Sequence, residues 1–125
     1  MSDTVKKHDW GYEAEWARTE TYGAKMLMFP ARNSKTPIFF QKTVNKSWFI
    51  NNGSFIMRWI DTKNGQVFEQ QLEEGKVFNI PAMLPVGLIS LTDNSSVTEV
   101  NDGFKADDIC VVLPGDAIES ELNAA

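Results

Sequence analysis

The chain has 125 residues, 42% hydrophobic and 23% charged, with a formal net charge of −5. That length and composition suit a single globular domain with a packed core and exclude a disordered chain. The acidic balance, with Lys and Arg scattered rather than clustered, argues against a nucleic-acid partner and against an anionic membrane surface.

Residues 1–9 read as an N-terminal arm. Met1-Ser2-Asp3-Thr4-Val5-Lys6-Lys7 is followed by no apolar signal region. His8, the one histidine of the chain, reads as a solvated residue near the terminus. No apolar run is long enough for a membrane-spanning helix. The expectation is a soluble cytoplasmic protein.

Tyr12-Glu13-Ala14-Glu15-Trp16-Ala17 alternates with period two. It predicts a strand with Tyr12, Ala14 and Trp16 on the barrel face and Glu13 and Glu15 on the other. Tyr22-Gly23 marks a turn, and Ala24 to Phe29 forms a second strand stopped by Pro30. After a polar loop, Pro37 opens a third strand, Ile38 to Thr43.

Ser47-Trp48-Phe49-Ile50 is a fourth strand and Phe55 to Ile60 a fifth. Asn51-Asn52-Gly53-Ser54 between them predicts a hairpin turn, with Gly53 supplying a positive φ. Asn64-Gly65 predicts a second hairpin, returning through Val67 to Leu72. Glu73-Glu74-Gly75 turns into Lys76 to Ile80, which meets Pro81.

The loop Ala82-Met83-Leu84-Pro85 is apolar for a turn, and is either a contact patch or tucked over the barrel end. Val86 to Thr92 and Val97 to Val100 are the next strands. The last is Ile109-Cys110-Val111-Val112-Leu113, in which Cys110 reads as a small buried hydrophobe. As the lone cysteine it has no disulfide partner within the chain. Pro114-Gly115-Asp116 breaks the strand, and Asp116 caps a short helix over Ala117 to Leu122.

Regular short strands separated by turn signals define an all-β, single-domain barrel or sandwich. The predicted organisation is an arm over 1–9, a barrel over 10–116 and a short C-terminal helix or tail over 117–125. Eight Phe and four Trp fill the interior or line a pocket.

Two stretches carry a family pattern. In the first, Gln41 to Gly53, a glycine is preceded at fixed spacing by the position of a metal-binding glutamate, and before that by a His-x-His segment. Gly53 fits the glycine, which puts Lys46 at the glutamate and the histidines within Phe40 to Thr43, where none occurs. In the second, Gly75-Lys76-Val77-Phe78-Asn79-Ile80-Pro81 fits a glycine, five residues and a proline. A glycine and a histidine would follow, at the places held by Met83 and Val86.

This pattern resembles the cupin superfamily, a double-stranded β-helix or jelly-roll barrel. Trp10-Gly11-Tyr12-Glu13, Trp16-Ala17, and Trp48 placed before Gly53 are similar to the barrel of type II mannose-6-phosphate isomerases. The resemblance implies a cupin-like barrel, often a homodimer, whose metal ligands are missing. Three imidazoles and a carboxylate would have to converge to hold a divalent metal. Gln41 and Thr43 are weak neutral ligands, Lys42 and Lys46 are cations, and Val86 has no donor. No metal and no cofactor are expected, and metal-dependent isomerase, dioxygenase or oxalate chemistry is disfavoured.

The residues at the former ligand positions mark a candidate pocket: Gln41, Thr43, Lys46 and Val86. Trp48 shares the face of Lys46, Met57 and Trp59 share a face of the next strand, and Tyr12 alternates toward the barrel. An ammonium among amides and aromatics suits a sugar or a small organic anion. The expected function is a non-catalytic, metal-free small-molecule-binding or accessory module, its ligand a carbohydrate or sugar phosphate by resemblance. Two alternatives stay open. One is a metal-independent sugar isomerase or epimerase using a Tyr12–Lys46 acid–base pair. The other is an assembly protein with a filled barrel, meeting its partner through a strand edge or the Ile56/Ile60 face that Arg58 interrupts.

Overall fold

The computed structural model describes residues 5–103 and 108–113. Their strands are β1 (Val5–His8), β2 (Gly11–Arg18), β3 (Gly23–Phe29), β4 (Ile38–Gln41), β5 (Lys46–Asn52) and β6 (Ser54–Ile60). They continue as β7 (Val67–Glu73), β8 (Val77–Ile80), β9 (Val86–Ser90), β10 (Ser95–Asn101) and β11 (Ile109–Leu113). Two antiparallel sheets result, ordered β1-β2-β3-β10-β5-β8 and β11-β4-β9-β6-β7. The fold is an all-β jelly roll. Among the described residues no helix is long and apolar enough to cross a membrane.

Period-two alternation builds the core. Leu27 and Phe29 of β3, Trp48 and Ile50 of β5, and Val97 of β10 face Phe55 and Met57 of β6 and Val86 and Leu88 of β9. Trp10 stacks on Phe29 with ring centres 4.7 Å apart, and Phe29 meets Phe55 edge-on at 5.0 Å. Each such ring is worth about 3–5 kcal/mol against truncation to alanine.

Several expectations change. The segment Val5–His8, read as an arm, pairs with β2 in the register His8↔Gly11 and forms the edge of the larger sheet. Asn52-Gly53 does not close a hairpin: β5 and β6 lie in different sheets, and Gly53 (φ 82°) turns the chain across the sandwich. A Cβ there would overlap the hydroxyls of Ser95 and Thr92, so the corner needs both the positive φ and the empty volume. Asn64-Gly65 does close a hairpin, with β6 and β7 paired from Ser54↔Glu73 to Ile60↔Val67.

The third strand ends at Gln41, and Thr43 lies in the following loop. There its backbone N–H and its hydroxyl both donate to Asp108, at 3.0 and 3.1 Å. The apolar run of β11 is an edge strand, so Val111 and Val112 are exposed and Cys110 is half-buried rather than enclosed. The loop after β8 splits its side chains, with Leu84 packed on the core and Met83 53% exposed. The helix expected over Ala117 to Leu122, capped by Asp116, lies outside the described residues.

Candidate ligand-binding cavity

Three strands of the larger sheet carry charge in phase with their buried faces. In β3, Lys25 precedes Leu27 and Phe29; in β10, Glu99 follows Val97; in β5, Lys46 precedes Trp48 and Ile50. The register aligns Lys25, Glu99 and Trp48 in one cross-strand row. Lys25, Lys46 and Glu99 are therefore buried between the sheets, at 8%, 6% and 3% exposure.

Buried charges persist only when partnered. The Lys25 Nζ lies 3.0 Å from Glu13 Oε2 and 3.8 Å from Glu99 Oε2. Glu99 also accepts from Trp48 Nε1 at 2.9 Å and from Asn101 Nδ2 at 3.2 Å. Burial pushes the Glu13 carboxyl up, but the charge and hydrogen bond of Lys25, with His8 and Lys6 beyond, hold it below the usual glutamate value. The His8 ring stacks on Trp10 at 4.7 Å and its Nε2 lies 3.6 Å from Glu13.

Lys46 is held differently. Its Nζ donates to Gln41 Oε1 at 3.2 Å and lies 4.3 Å from the ring centre of Phe39 and 5.3 Å from that of Trp48. Burial pushes it down to about 8; the charge of Glu99 opposes this, Lys25 adds to it, and Glu13 opposes it. The Nε2 of Gln41 is buried and has no hydrogen-bond partner among the described residues.

These groups line a cavity of about 150 Å³. Trp10, Leu27, Pro37, Phe39, Trp48 and Leu88 form its apolar wall. The exposed lining residues His8, Ile109 and Val111 lie at its mouth. For scale, one water in the liquid occupies roughly 30 Å³, so the space suits a molecule of a few heavy atoms.

Of the pocket residues expected from sequence, Gln41, Lys46 and Trp48 line this cavity. Met57 and Val86 are fully buried in the core. Trp59 stacks on Phe68 at 5.5 Å and meets Phe78 at 5.9 Å, away from the cavity. Thr43 is bound to Asp108. Tyr12 is absent from the lining, so it forms no pair with Lys46 there.

The faces of β2 are reversed from the alternation argument. Glu13 lines the cavity, while Trp16 is 61% exposed. Glu13 meets Lys25 on the inner face, and Trp16 stands at a bulge between Glu15 and Ala17, outside the alternation. His8, read as solvated, reaches the mouth through its stack on Trp10. Sequence reasoning passed over Glu13, Lys25 and Glu99. The available signal was a charged residue in step with an apolar face, as in Lys25/Leu27/Phe29 and Val97/Glu99.

The metal question turns on the donor set. Lys46, at the glutamate position of the motif, and Lys25 place two ammonium groups on the cavity wall. A protonated amine cannot coordinate a cation and repels one. Among the described residues, no group of three or more His, Cys, Asp or Glu side chains is arranged to hold a metal ion. The residues present do not fit a divalent metal.

Comparison with known proteins agrees with this architecture. The family profile described as Cupin matches residues 10–112. No curated protein matches the sequence. Among solved structures, the capsular polysaccharide assembling protein CapF from Staphylococcus aureus superposes with a TM-score of 0.75 at 16% identity. The match covers 87% of this chain and 34% of that one. Oxalate decarboxylase from Bacillus subtilis superposes with a TM-score of 0.77 at 18% identity, over 89% of this chain and 30% of that one. The chain thus spans about a third of the length of either structure. At these identities the likeness shows the fold alone.

Proposed function

This chain belongs to the cupin family, and from that premise we propose that it is a non-catalytic, metal-free binding module for a small carbohydrate, neutral rather than phosphorylated. The observation that carries this reading is the pair Gln41 and Lys46. Both are buried on the wall of a cavity with Trp and Phe faces, and the Nε2 of Gln41 is left without an acceptor. A buried donor without a partner costs about 1–3 kcal/mol, and a ligand oxygen recovers it. Aromatic faces and a few convergent polar groups are how proteins grip small ligands.

Charge separates the neutral sugar from the sugar phosphate. Two lysines and two glutamates, Lys25, Lys46, Glu13 and Glu99, face the cavity and balance one another. A phosphate would meet two carboxylates with no surplus of positive charge. A neutral hydroxyl-rich molecule meets donors and acceptors of both kinds.

A thermal-shift and calorimetry panel of short neutral sugars, their phosphates and small organic acids tests the reading. A neutral sugar at a hundred times its dissociation constant should add about 2.7 kcal/mol of stability. Gln41→Leu should weaken that binding about tenfold by removing the Nε2 donor. Binding of phosphates alone, or unchanged affinity in Gln41→Leu, would refute it.

A further inference from the structure

We propose that Lys46 is a nucleophile, and that the cavity captures the open-chain aldehyde of a short neutral sugar as an imine on Lys46 Nζ. This deepens the binding reading above and rests on it.

The geometry is that of an amine kept from the usual fate of lysine. The side chain is 6% exposed, and among the described residues no carboxylate lies within ion-pairing distance of its Nζ. Among the described residues the Nζ donates to a neutral amide, Gln41 Oε1. The groups facing it are Gln41 on β4, Glu99 on β10, Lys25 on β3 and Glu13 on β2, with the rings of Phe39 and Trp48 against the amine. Desolvation beside a second cation is a recognised route to an unprotonated, reactive lysine. Burial lowers Lys46 to about 8 here against the opposing charge of Glu99, with Lys25 adding to the fall. With Lys46 neutral, the remaining charges are Lys25 against Glu13 and Glu99. That surplus of negative charge favours an uncharged aldehyde over a 2-oxo acid.

The step balances without an oxidant or reductant. Lys46 first loses a proton to water. Its lone pair then forms a bond to the carbonyl carbon, as the C=O π pair moves onto oxygen. The free Nε2–H of Gln41 stands on the same wall to donate to that oxygen. A proton passes from nitrogen to oxygen, giving the carbinolamine. The hydroxyl takes back from water the proton that Lys46 released, its C–O bond breaks and water leaves, and the nitrogen lone pair closes the C=N bond as a protonated imine.

The test uses wild-type protein with glycolaldehyde and cyanoborohydride at pH 8, followed by peptide mass mapping over time. Cyanoborohydride delivers hydride to the imine carbon and fixes the adduct as a secondary amine. The exposed Lys42, Lys63 and Lys76 serve as internal references. Lys46 should be modified about tenfold faster than any of them, since far more of it is unprotonated at that pH and lower basicity cancels only part of the gain. Modification of Lys46 no faster than the references would overturn the proposal. A parallel titration with glycerol, which has no carbonyl, separates the two claims. Glycerol binding without a Lys46 adduct overturns the imine and leaves the carbohydrate reading. Neither binding nor adduct overturns both.

Discussion

The Nζ of Lys46 donates to Oε1 of Gln41 at 3.2 Å, and the two side chains are 6% and 4% exposed. A buried ammonium against the rings of Phe39 and Trp48 is thus held by an amide rather than by a carboxylate. Burial of the ammonium without a carboxylate partner costs the fold stability.

The pH dependence of stability follows from that arrangement. Lys46 falls from its ordinary value of 10.5 to about 8 in the folded protein. Between those values the unfolded chain holds the extra proton, so stability rises with pH. The penalty is fully present below about 8 and disappears above about 10.5, and it amounts to about 3 kcal/mol. Urea unfolding of wild type and Lys46→Met should converge by about that amount as the pH is raised through this window. A constant difference between the two would show that the amine is not desolvated.

Lys25 is the charge that permits two carboxylates inside the sandwich. Lys25→Met should cost about 3 kcal/mol, because Glu13 and Glu99 then lose their cation. Glu13 lies below its ordinary value in the wild type, so its share of stability is present at neutral pH and lost as pH falls through that lowered value. In Lys25→Met the acid-side loss should begin at higher pH. Adding Glu13→Gln should recover part of the stability, which equilibrium unfolding of the three variants would measure.

Two glycines with positive φ should respond differently to alanine. At Gly65 (φ 73°) nothing lies within 4 Å of an added Cβ, so Gly65→Ala carries only the left-handed backbone cost of about 1 kcal/mol. At Gly53 (φ 82°) the same Cβ meets the hydroxyls of Ser95 and Thr92. Gly53→Ala should lose at least about 2 kcal/mol more, as overpacking adds to the backbone term. Equal melting temperatures for the two variants would contradict the corner described for Gly53.

Met83 stands where the family pattern has a glycine, and it keeps the left-handed backbone, with φ 76°. Its side chain is 53% exposed, so little packing depends on it. Met83→Gly should therefore stabilise the protein by about 1 kcal/mol, visible as a rise in melting temperature. The backbone N–H at this position donates to the carbonyl of Gln41 at 2.7 Å, and the substitution leaves that bond in place.

The all-β class, nearly every strand, the Asn64-Gly65 hairpin and the cupin pattern from Gln41 to Pro81 can be read from the residues alone. Those signals are local: alternation, turn residues and fixed spacings act over a few positions. Local signals also led to Gln41, Lys46 and Trp48, which lie on the cavity wall. The rest depends on contacts between strands far apart in the chain. Alternation defines two faces of β2 but not which is inner, and on the inner one Glu13 meets Lys25, a residue of the neighbouring strand. A positive φ at Gly53 marks a turn in the sequence but does not say whether the chain stays in its sheet. Here Ser95 and Thr92 close around the glycine and the chain crosses the sandwich. The row Lys25–Glu99–Trp48 joins β3, β10 and β5, strands distant along the chain, so their charges meet only once the sheets have formed.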